Sequence, residues 1–213
     1  MRGSQSAQFL QGQLSQDVAA LDEGGQWSLL LAPDSIVLSA CWVTRRGDGY
    51  GLTVPRELGE DAVARLERFR LRVDCTMSLE PVDEGPFLST RDLIDAGWPG
   101  PNELAARLTP HSFGSTFVRT TISFTKGCFT GQELVARLDV RGSRVPFRLV
   151  RATGPSGDQI NEVLRSTGPN GPQGVTSTAP DGARVVALGI AHRSLLERPV
   201  PVDGGDVVVE AIA

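Results

Sequence analysis

The sequence predicts an α+β protein, in which helices cover an antiparallel sheet in the N-terminal part and a small β-barrel forms the C-terminal part. Two patterns carry this prediction. Before residue 80, helical and strand-like periodicities alternate along the chain. In the last third, short apolar runs are separated by clusters of glycine, proline, serine and asparagine, which is typical of short strands joined by turns. We therefore expect two domains, at 1–142 and 143–213.

The N-terminal part supplies the helices and the antiparallel sheet of this prediction. Apolar residues at helical spacing, with charged residues on the opposite face, indicate a helix that ends near Phe69. Strict alternation of apolar and polar residues behind it predicts a half-buried strand. Two β-branched runs joined at Pro33-Asp34 predict a hairpin. The expected elements are a helix within 4–18, strands at 27–32, 35–43 and 50–54, a helix at 58–69 and a strand at 71–79.

The middle of the chain is rich in proline and glycine. Residues 81–116 are therefore expected to be irregular, with one short helix at 103–108. A strand at 117–124 is expected to follow. The remaining third is expected to contain strands at 146–152, 159–165, 174–177, 184–191 and 206–212, with 166–182 forming a long hairpin.

Charge and composition disfavour several classes of function. Hydrophobic residues are 40% and charged residues 22% of the 213 residues, which is ordinary globular material. The 21 basic and 25 acidic side chains give a net charge of −4, so the basic excess of a nucleic-acid-binding protein is absent. No stretch approaches the length of a membrane span, and the N-terminus has no targeting pattern. We expect a soluble, cytoplasmic protein with neither nucleic acid nor membrane as a partner.

The cysteines and histidines predict no metal site. Three cysteines at wide spacing suggest neither a disulfide framework nor a zinc site. Cys41 and Cys75 lie in strand-like patterns and are expected to be inert core residues. His111 and His192 have no metal-ligand spacing. Cys128 differs from the other cysteines because its neighbours are polar and glycine-rich.

The segment Lys126–Glu133, called the signature segment below, is followed at once by a helical pattern. Thr130 and Glu133 have the T-x-x-E spacing of a capping box, which predicts that a helix starts at Thr130. Glu133 and Arg137 are four residues apart, so they are expected to pair on one helix face. The pattern predicts a buried stripe at Leu134, Val135 and Leu138.

Cys128 has the surroundings of a reactive thiol. It precedes the predicted helix and follows Lys126 by two residues, and both a helix N-terminus and an adjacent ammonium favour a thiolate. Gly127 and Gly131 let the backbone approach a bound group closely. The alternative is that Cys128 is only a small residue packed under a tight turn.

Four blocks of sequence resemble the YgfZ family of folate-binding proteins, relatives of the glycine cleavage system T-protein. The signature segment and the four residues after it resemble that family's K-G-C-Y-x-G-Q-E signature. Phe9–Val18 is similar to its F-L-Q-G-Q-L-T-Q-D-V block. Ala96–Pro99, and Gly174–Ser177 with Ala187–Gly189, complete the order along the chain.

The resemblance implies α/β portions and a C-terminal β-barrel around a central pocket for tetrahydrofolate or a derivative. Family members are associated with folate binding and with the assembly or repair of iron–sulfur proteins, so folate and iron–sulfur client or assembly proteins are the expected partners. The resemblance implies that the cofactor is bound by Lys126, Gly127, Phe129, Gly131, Gln132, Glu133, Arg137, Gln11, Gln13 and Asp17, and that Cys128 is the candidate catalytic thiol.

Three departures from the family leave alternative functions open. Phe129 stands where tyrosine is usual, and the chain is short, so that a second subunit of a homo-oligomer is a candidate to complete the pocket. Residues 36–40 carry no carboxylate, although the T-protein branch places an acidic pair there, which argues against aminomethyl transfer. The alternatives are a folate-dependent aminomethyltransferase and a ligand-free interaction module.

Two further assignments also have alternatives. Arg137 either pairs only with Glu133 or binds folate carboxylates with its planar fork. Trp27, Trp42 and Trp98 are expected in the core or in the pocket wall.

Overall fold

A computed structural model describes residues 1–22, 24–82, 86, 89–142, 144–197 and 206–213. The chain divides into a first unit, Met1–Phe87 with Val118–Arg137, and a second unit, Leu88–Phe117 with Leu138–Ala213. The domain bounds of 1–142 and 143–213 stay a prediction. In the described part of the chain, none of the helices combines the length and the hydropathy that crossing a membrane requires.

The first unit contains a three-stranded antiparallel sheet with the order β1-β2-β3. Its elements are helix α1 (Ser6–Gln13), strands β1 (Gln26–Leu31), β2 (Val37–Arg46) and β3 (Gly49–Thr53), and helix α2 (Gly59–Phe69), which a 3-10 turn at Arg56–Leu58 precedes. The predicted helix, hairpin, strand and second helix are therefore confirmed. Leu10, Leu14, Leu30, Cys41 and Leu66 pack together in its core, so α1 and α2 share one apolar interior with the sheet.

The predicted strand at 71–79 is wrong. Only one isolated bridge forms there, in which the Thr76 backbone exchanges hydrogen bonds of 3.0 and 2.7 Å with Arg2. Arg72 has a φ of +58°, which interrupts extended backbone, and Leu71 is 80% exposed. Cys75 is nevertheless buried, and Val73 and Met77 are partly buried against the same core, as the alternation predicts. An alternating pattern forms a strand only where a second strand is available for pairing, and in the described residues no strand pairs with 71–79.

Residues 90–121 contain four short helical segments with non-helical stretches between them. The segments are α3 (Thr90–Ala96), α4 (Pro101–Leu104), a 3-10 turn (Pro110–Phe113) and α5 (Ser115–Thr121), so the predictions of a helix at 103–108 and a strand at 117–124 are wrong. Helix α3 has a capping box in which the Ser89 side chain accepts a hydrogen bond from the backbone of Asp92. Pro101 occupies the first turn of α4, where a proline favours a helix start.

The second unit contains a four-stranded antiparallel sheet with the order β5-β6-β4-β7. The elements from residue 132 onward are α6 (Gln132–Val140), β4 (Phe147–Gly154), α7 (Gly157–Arg165), β5 (Gly174–Asp181), β6 (Arg184–His192), α8 (Arg193–Leu196) and β7 (Val208–Ala211). The α+β class with antiparallel sheets is thereby confirmed. In the described residues β5 and β7 are the two ends of an open order, so the predicted C-terminal barrel is not confirmed.

The predicted strand at 159–165 is the helix α7. Ser156 caps this helix by accepting a hydrogen bond from the Gln159 backbone, and Ile160, Val163 and Leu164 are buried on one helical face. Short apolar runs fit a strand and a buried helix equally well, so packing against the sheet decided between them. The hairpin that we expected within 166–182 is formed by β5 and β6 instead.

Gly189 of β6 allows α7 to pack closely on the sheet. We expect Gly189→Ala to lower the free energy of unfolding by about 1–3 kcal/mol, since an added Cβ would overlap Cδ1 of Leu164 and lie 2.6 Å from the Gly174 carbonyl oxygen. Urea denaturation measures the change. The control is Gly157→Ala, whose Cβ would lie 3.7 Å from Thr178 Cγ2, an ordinary contact. Equal stabilities of both variants would contradict this packing.

Candidate functional site

In the first unit, the signature segment lies against the C-terminal end of α1. The backbone N–H of Thr130 donates to the Gly12 carbonyl oxygen at 3.0 Å. The Ser35 hydroxyl, at the hairpin turn, donates to the Gly131 carbonyl oxygen at 2.5 Å. Two blocks that carry the family resemblance therefore meet in space. We call this place the junction, and define it as Gln11–Gln13 together with Lys126–Gly131.

Gly131 is required by its backbone conformation and by its neighbours. Its φ is +81°, a value that side chains with a Cβ rarely adopt. A Cβ would also lie 2.6 Å from the Ala32 carbonyl oxygen. The glycine therefore lets the signature segment approach the hairpin turn between β1 and β2.

Lys126 attaches the signature segment to α1. Its ammonium donates to the carbonyl oxygens of Gln11 and Leu14 at 2.6 Å each and to that of Gln16 at 3.1 Å. The carbonyls at the end of a helix lack intrahelical partners and carry the negative end of the helix dipole, so an ammonium is favoured there. Lys126 is the only lysine in the sequence and is 8% exposed. It acts as the C-terminal cap of α1.

Two opposing effects act on the Lys126 ammonium. Burial lowers its pKa to about 8, and the Asp17 carboxylate acts in the opposite direction. The charged form still predominates at neutral pH. The Phe129 ring centroid lies 5.1 Å from the Nζ atom, at a distance where an aromatic ring attracts a cation.

Gln11 and Asp17 close the loop that follows α1. The Gln11 amide donates to the Asp17 carboxylate at 2.9 Å and accepts from the Val18 backbone at 2.8 Å. The Asp17 carboxylate also accepts from the backbones of Ala19 and Ala20 at 3.0 and 3.3 Å. The bond from Gln11 is the main cause of the lowered pKa of Asp17. The polar atoms of Gln11 and Asp17 are therefore engaged in hydrogen bonds within the first unit.

Gln13 connects the signature segment to α2. Its amide oxygen lies 3.5 Å from the Thr130 hydroxyl and accepts from the Arg65 guanidinium at 3.4 Å. Arg65 also donates to the Leu31 carbonyl oxygen at 3.2 Å, and its guanidinium lies 3.7 Å from the centre of the Phe69 ring. A charged group that the sequence analysis did not single out therefore reaches the edge of the junction.

The helical pattern at 58–69 predicts its charged residues, Arg65 among them, on the outer face of α2, but Arg65 is half-buried. The only local signal for this position is Phe69, four residues later, which suits stacking on one helix face. The contact with Gln13 joins residues 52 apart in the sequence, and no local pattern predicts it.

One face of the junction is open. A Cβ at Gly12 or Gly127 would meet nothing within 4 Å, and Cys128 is exposed. The backbone at Gly12 and Gly127 therefore borders open space, so a ligand group can approach it there without rearrangement of the backbone.

The rest of the signature segment has mixed roles. The Phe129 side chain is buried, so it packs inside the fold and is not exposed to a ligand. Gln132 is half-buried at the start of α6. Glu133 and Arg137 form the expected ion pair, with atoms 2.6 Å apart. Both side chains are exposed, so the pair contributes little to stability.

Two local predictions about this segment are wrong. Helix α6 begins at Gln132, two residues after the predicted start at Thr130, whose hydroxyl points towards Gly12 and Gln13. The Lys126 ammonium, expected beside Cys128, is used at the end of α1. The unpaired carbonyl oxygens at the end of α1, although distant in the sequence, bind a cation more strongly than a neighbouring thiol does.

The other titratable candidates serve the fold. Cys41 and Cys75 are buried, and burial raises the pKa of the Cys41 thiol to about 12, so both behave as the predicted core residues. His192 caps α8 by accepting from the Ser194 backbone at 3.3 Å. Among the described residues, no group of three histidine, cysteine, aspartate or glutamate side chains could hold a metal ion.

Comparison with known proteins supports the fold. No family model matches the sequence, and the curated proteins give no match. The crystal structure of glycine cleavage system aminomethyltransferase T from Bartonella henselae is similar, with a TM-score of 0.56 and 15% sequence identity. The match covers 98% of this chain and 78% of that chain. The chain therefore has a fold like that of aminomethyltransferase T.

Lys126→Arg is expected to destabilise the protein by about 2–3 kcal/mol, although it keeps the charge. Three carbonyl oxygens converge on one compact ammonium, and a planar guanidinium cannot satisfy all three from one point. Urea denaturation at neutral pH measures the effect. The matched control is the reverse exchange, Arg137→Lys, in the exposed ion pair. If Lys126→Arg is as stable as the control, the ammonium is not the required cap.

We expect the Lys126 amine to titrate near pH 8 in the folded protein. Because there is one lysine, incorporation of ¹³C-labelled lysine gives a single side-chain spin system whose Cε shift reports its protonation by NMR. Urea-unfolded protein is the control and should titrate near 10.5. A folded-state value at or above 10.5 would mean that the three carbonyl bonds outweigh the effect of burial.

This titration also sets the sign of a pH effect on stability. Between about pH 8 and 10.5 the unfolded chain holds more protons at Lys126 than the folded chain does, so the contribution of this group to the free energy of unfolding rises with pH. It is constant below and above this window. The unfolding free energy of the wild type minus that of Lys126→Met isolates the contribution of Lys126. This difference should rise between about pH 8 and 10.5, and a decrease would contradict the lowered pKa of Lys126.

Proposed function

We propose that this protein binds a reduced folate at the junction and acts as a YgfZ-type accessory protein in the assembly or repair of iron–sulfur proteins. The observation that carries the proposal is the meeting of two blocks that resemble that family, Phe9–Val18 and the signature segment, in one unit. The fold like that of aminomethyltransferase T is consistent with this proposal.

The chemistry of the junction suits a pterin. A pterin edge needs paired donors and acceptors, which the side-chain amide of Gln132, next to the junction, can supply. The open face at Gly12 and Gly127 leaves room for the ring. In this proposal Lys126, Gln11 and Asp17 hold the shape of the site, since their polar groups are engaged within the unit.

Cys128 is the residue that we propose for contact with the iron–sulfur client. Its thiol is exposed at the edge of the open face, where a second protein can reach it. A deletion strain supplied with Cys128→Ser tests this role. Loss of the activity of an iron–sulfur enzyme, with folate binding unchanged in the purified variant, is the expected result. Full complementation would remove the thiol from the proposal.

Aminomethyl transfer is the second candidate, and the likeness to an aminomethyltransferase favours it. That reaction needs a group that handles the proton of the reacting nitrogen. Residues 36–40 carry no carboxylate, and Ser39 and Ala40 are buried in β2. Turnover of an aminomethyl donor with tetrahydrofolate would establish this function, and we expect none.

A titration with tetrahydrofolate, followed by tryptophan fluorescence, tests the binding site. Gly127→Phe should weaken binding about tenfold or more, because the added ring fills the open face without meeting the fold. Gly157→Phe, at the start of α7, is the matched control and should bind as the wild type does. Unchanged melting temperatures would show that both variants remain folded.

Three results would change the proposal. Wild-type affinity in the Gly127→Phe variant would move the folate site away from the junction. Failure of the wild type to bind any reduced folate would favour a ligand-free interaction module. A pocket completed by a second subunit would appear as binding that strengthens with protein concentration, together with a dimer in analytical ultracentrifugation.

A further inference from the structure

The Arg65 side chain is held in a fixed position at the edge of the junction. Its guanidinium lies 3.7 Å from the centre of the Phe69 ring and donates to the Leu31 carbonyl oxygen at 3.2 Å. An arginine side chain normally loses much conformational freedom when it binds an anion. Here the stacking and the carbonyl bond have already removed that freedom, so the planar fork is preorganised.

No anion balances this charge in the described part of the chain. None of the ion pairs among the described residues includes Arg65, although Asp61 lies one turn earlier on the same helix. The Nε atom of Arg65 is buried without a hydrogen-bond partner. Burial lowers the pKa of the guanidinium, and Arg68, a second cation, acts in the same direction. A partly desolvated cation without a counterion is unfavourable, and an incoming anion would offset this cost.

Two donors already point to the place that such an anion would take. The Arg65 guanidinium and the Thr130 hydroxyl both lie within hydrogen-bond distance of one atom, the amide oxygen of Gln13, at 3.4 and 3.5 Å. The Thr130 hydroxyl is equally far from the Gly12 carbonyl oxygen, at 3.5 Å. Both distances to the Gln13 oxygen are long for hydrogen bonds, so the uncharged oxygen satisfies neither donor well. A carboxylate oxygen at this place would accept shorter, charge-assisted bonds from both groups.

We propose that Arg65 and Thr130 form a carboxylate-binding subsite, in which the Gln13 amide oxygen occupies the carboxylate position while no ligand is bound. The inference rests on the proposed function, and under it the ligand group is a carboxylate of the folate glutamate tail. Gln13 moves aside on binding, while the Leu31 carbonyl and the Phe69 ring keep the guanidinium in place. Arg137 already forms an ion pair with Glu133, and in this proposal it does not bind the glutamate tail.

The test compares tetrahydrofolate with the primary amide of tetrahydropteroate, which lacks the glutamate and carries no free carboxylate. The wild type should bind tetrahydrofolate about tenfold or more tightly than this amide, and Arg65→Gln should lose this preference but keep the affinity for the amide. Arg68→Gln is the matched control, since it removes an exposed cation from the same helix and should keep the preference. Calorimetric titration measures all six affinities.

Gln13→Glu supplies an internal carboxylate as a second test. It should pair with Arg65, so the melting temperature should rise above that of the wild type, and the variant should bind both ligands with the affinity of the tail-free one. The rise should disappear when Arg65→Gln is added. A lower melting temperature for Gln13→Glu alone, or a retained preference for the tail, would overturn the subsite.

The outcomes separate this inference from the proposed function. If the wild type binds both ligands equally, the junction still binds a reduced folate, but the tail subsite is wrong. If Arg65→Gln weakens both ligands to the same extent, Arg65 supports the site as a whole and the inference also fails. If the wild type binds neither ligand, the proposed function and the inference fail together.

Discussion

The buried ammonium of Lys126 is the interaction on which the candidate site depends. The carbonyl oxygens of Gln11 and Leu14, at the end of α1, have no helical N–H partner, and one compact cation binds both of them together with the Gln16 carbonyl oxygen in the following loop. Of the 21 basic residues, 20 are arginines and one is a lysine. The lysine occupies the position where three acceptors surround one point, because a compact ammonium suits that geometry better than a planar guanidinium does. Once this contact forms, the positions of Thr130 and Gly131 beside α1 and the hairpin turn follow.

The polar groups of the junction divide into those that build the site and those that remain available. Lys126, Gln11 and Asp17 form hydrogen bonds within the first unit and hold its shape. Cys128 is exposed, and Arg65 keeps a charge without a counterion in the described residues. A fold like that of aminomethyltransferase T at 15% identity describes the scaffold. The function must be argued from the available groups, because one fold supports many chemistries.

The sequence predicted elements well where a local pattern is strong, and less well where packing decides. The hairpin at Pro33-Asp34 and helix α2 have clear turn and helical signals, and both are present. The errors at 117–124 and 159–165 concern short stretches that are helices in the structure, whereas 71–79 has the alternation of a strand but forms only one isolated bridge. In each, the outcome depended on whether a partner strand or a sheet face was available. The same limit applies to the candidate site, since local patterns single out Lys126–Glu133 but not Arg65, which contacts Gln13 across 52 residues.

The sequence by itself determined the α+β class, the hairpin and the ion pair of Glu133 with Arg137. These features depend on residues close together in the chain, so local spacing is enough to predict them. Only the tertiary structure decided the role of Lys126, whose hydrogen-bond partners are 110–115 residues away. It also decided that Arg65 faces the junction, because a guanidinium takes whichever acceptors and aromatic face the folded chain brings within reach.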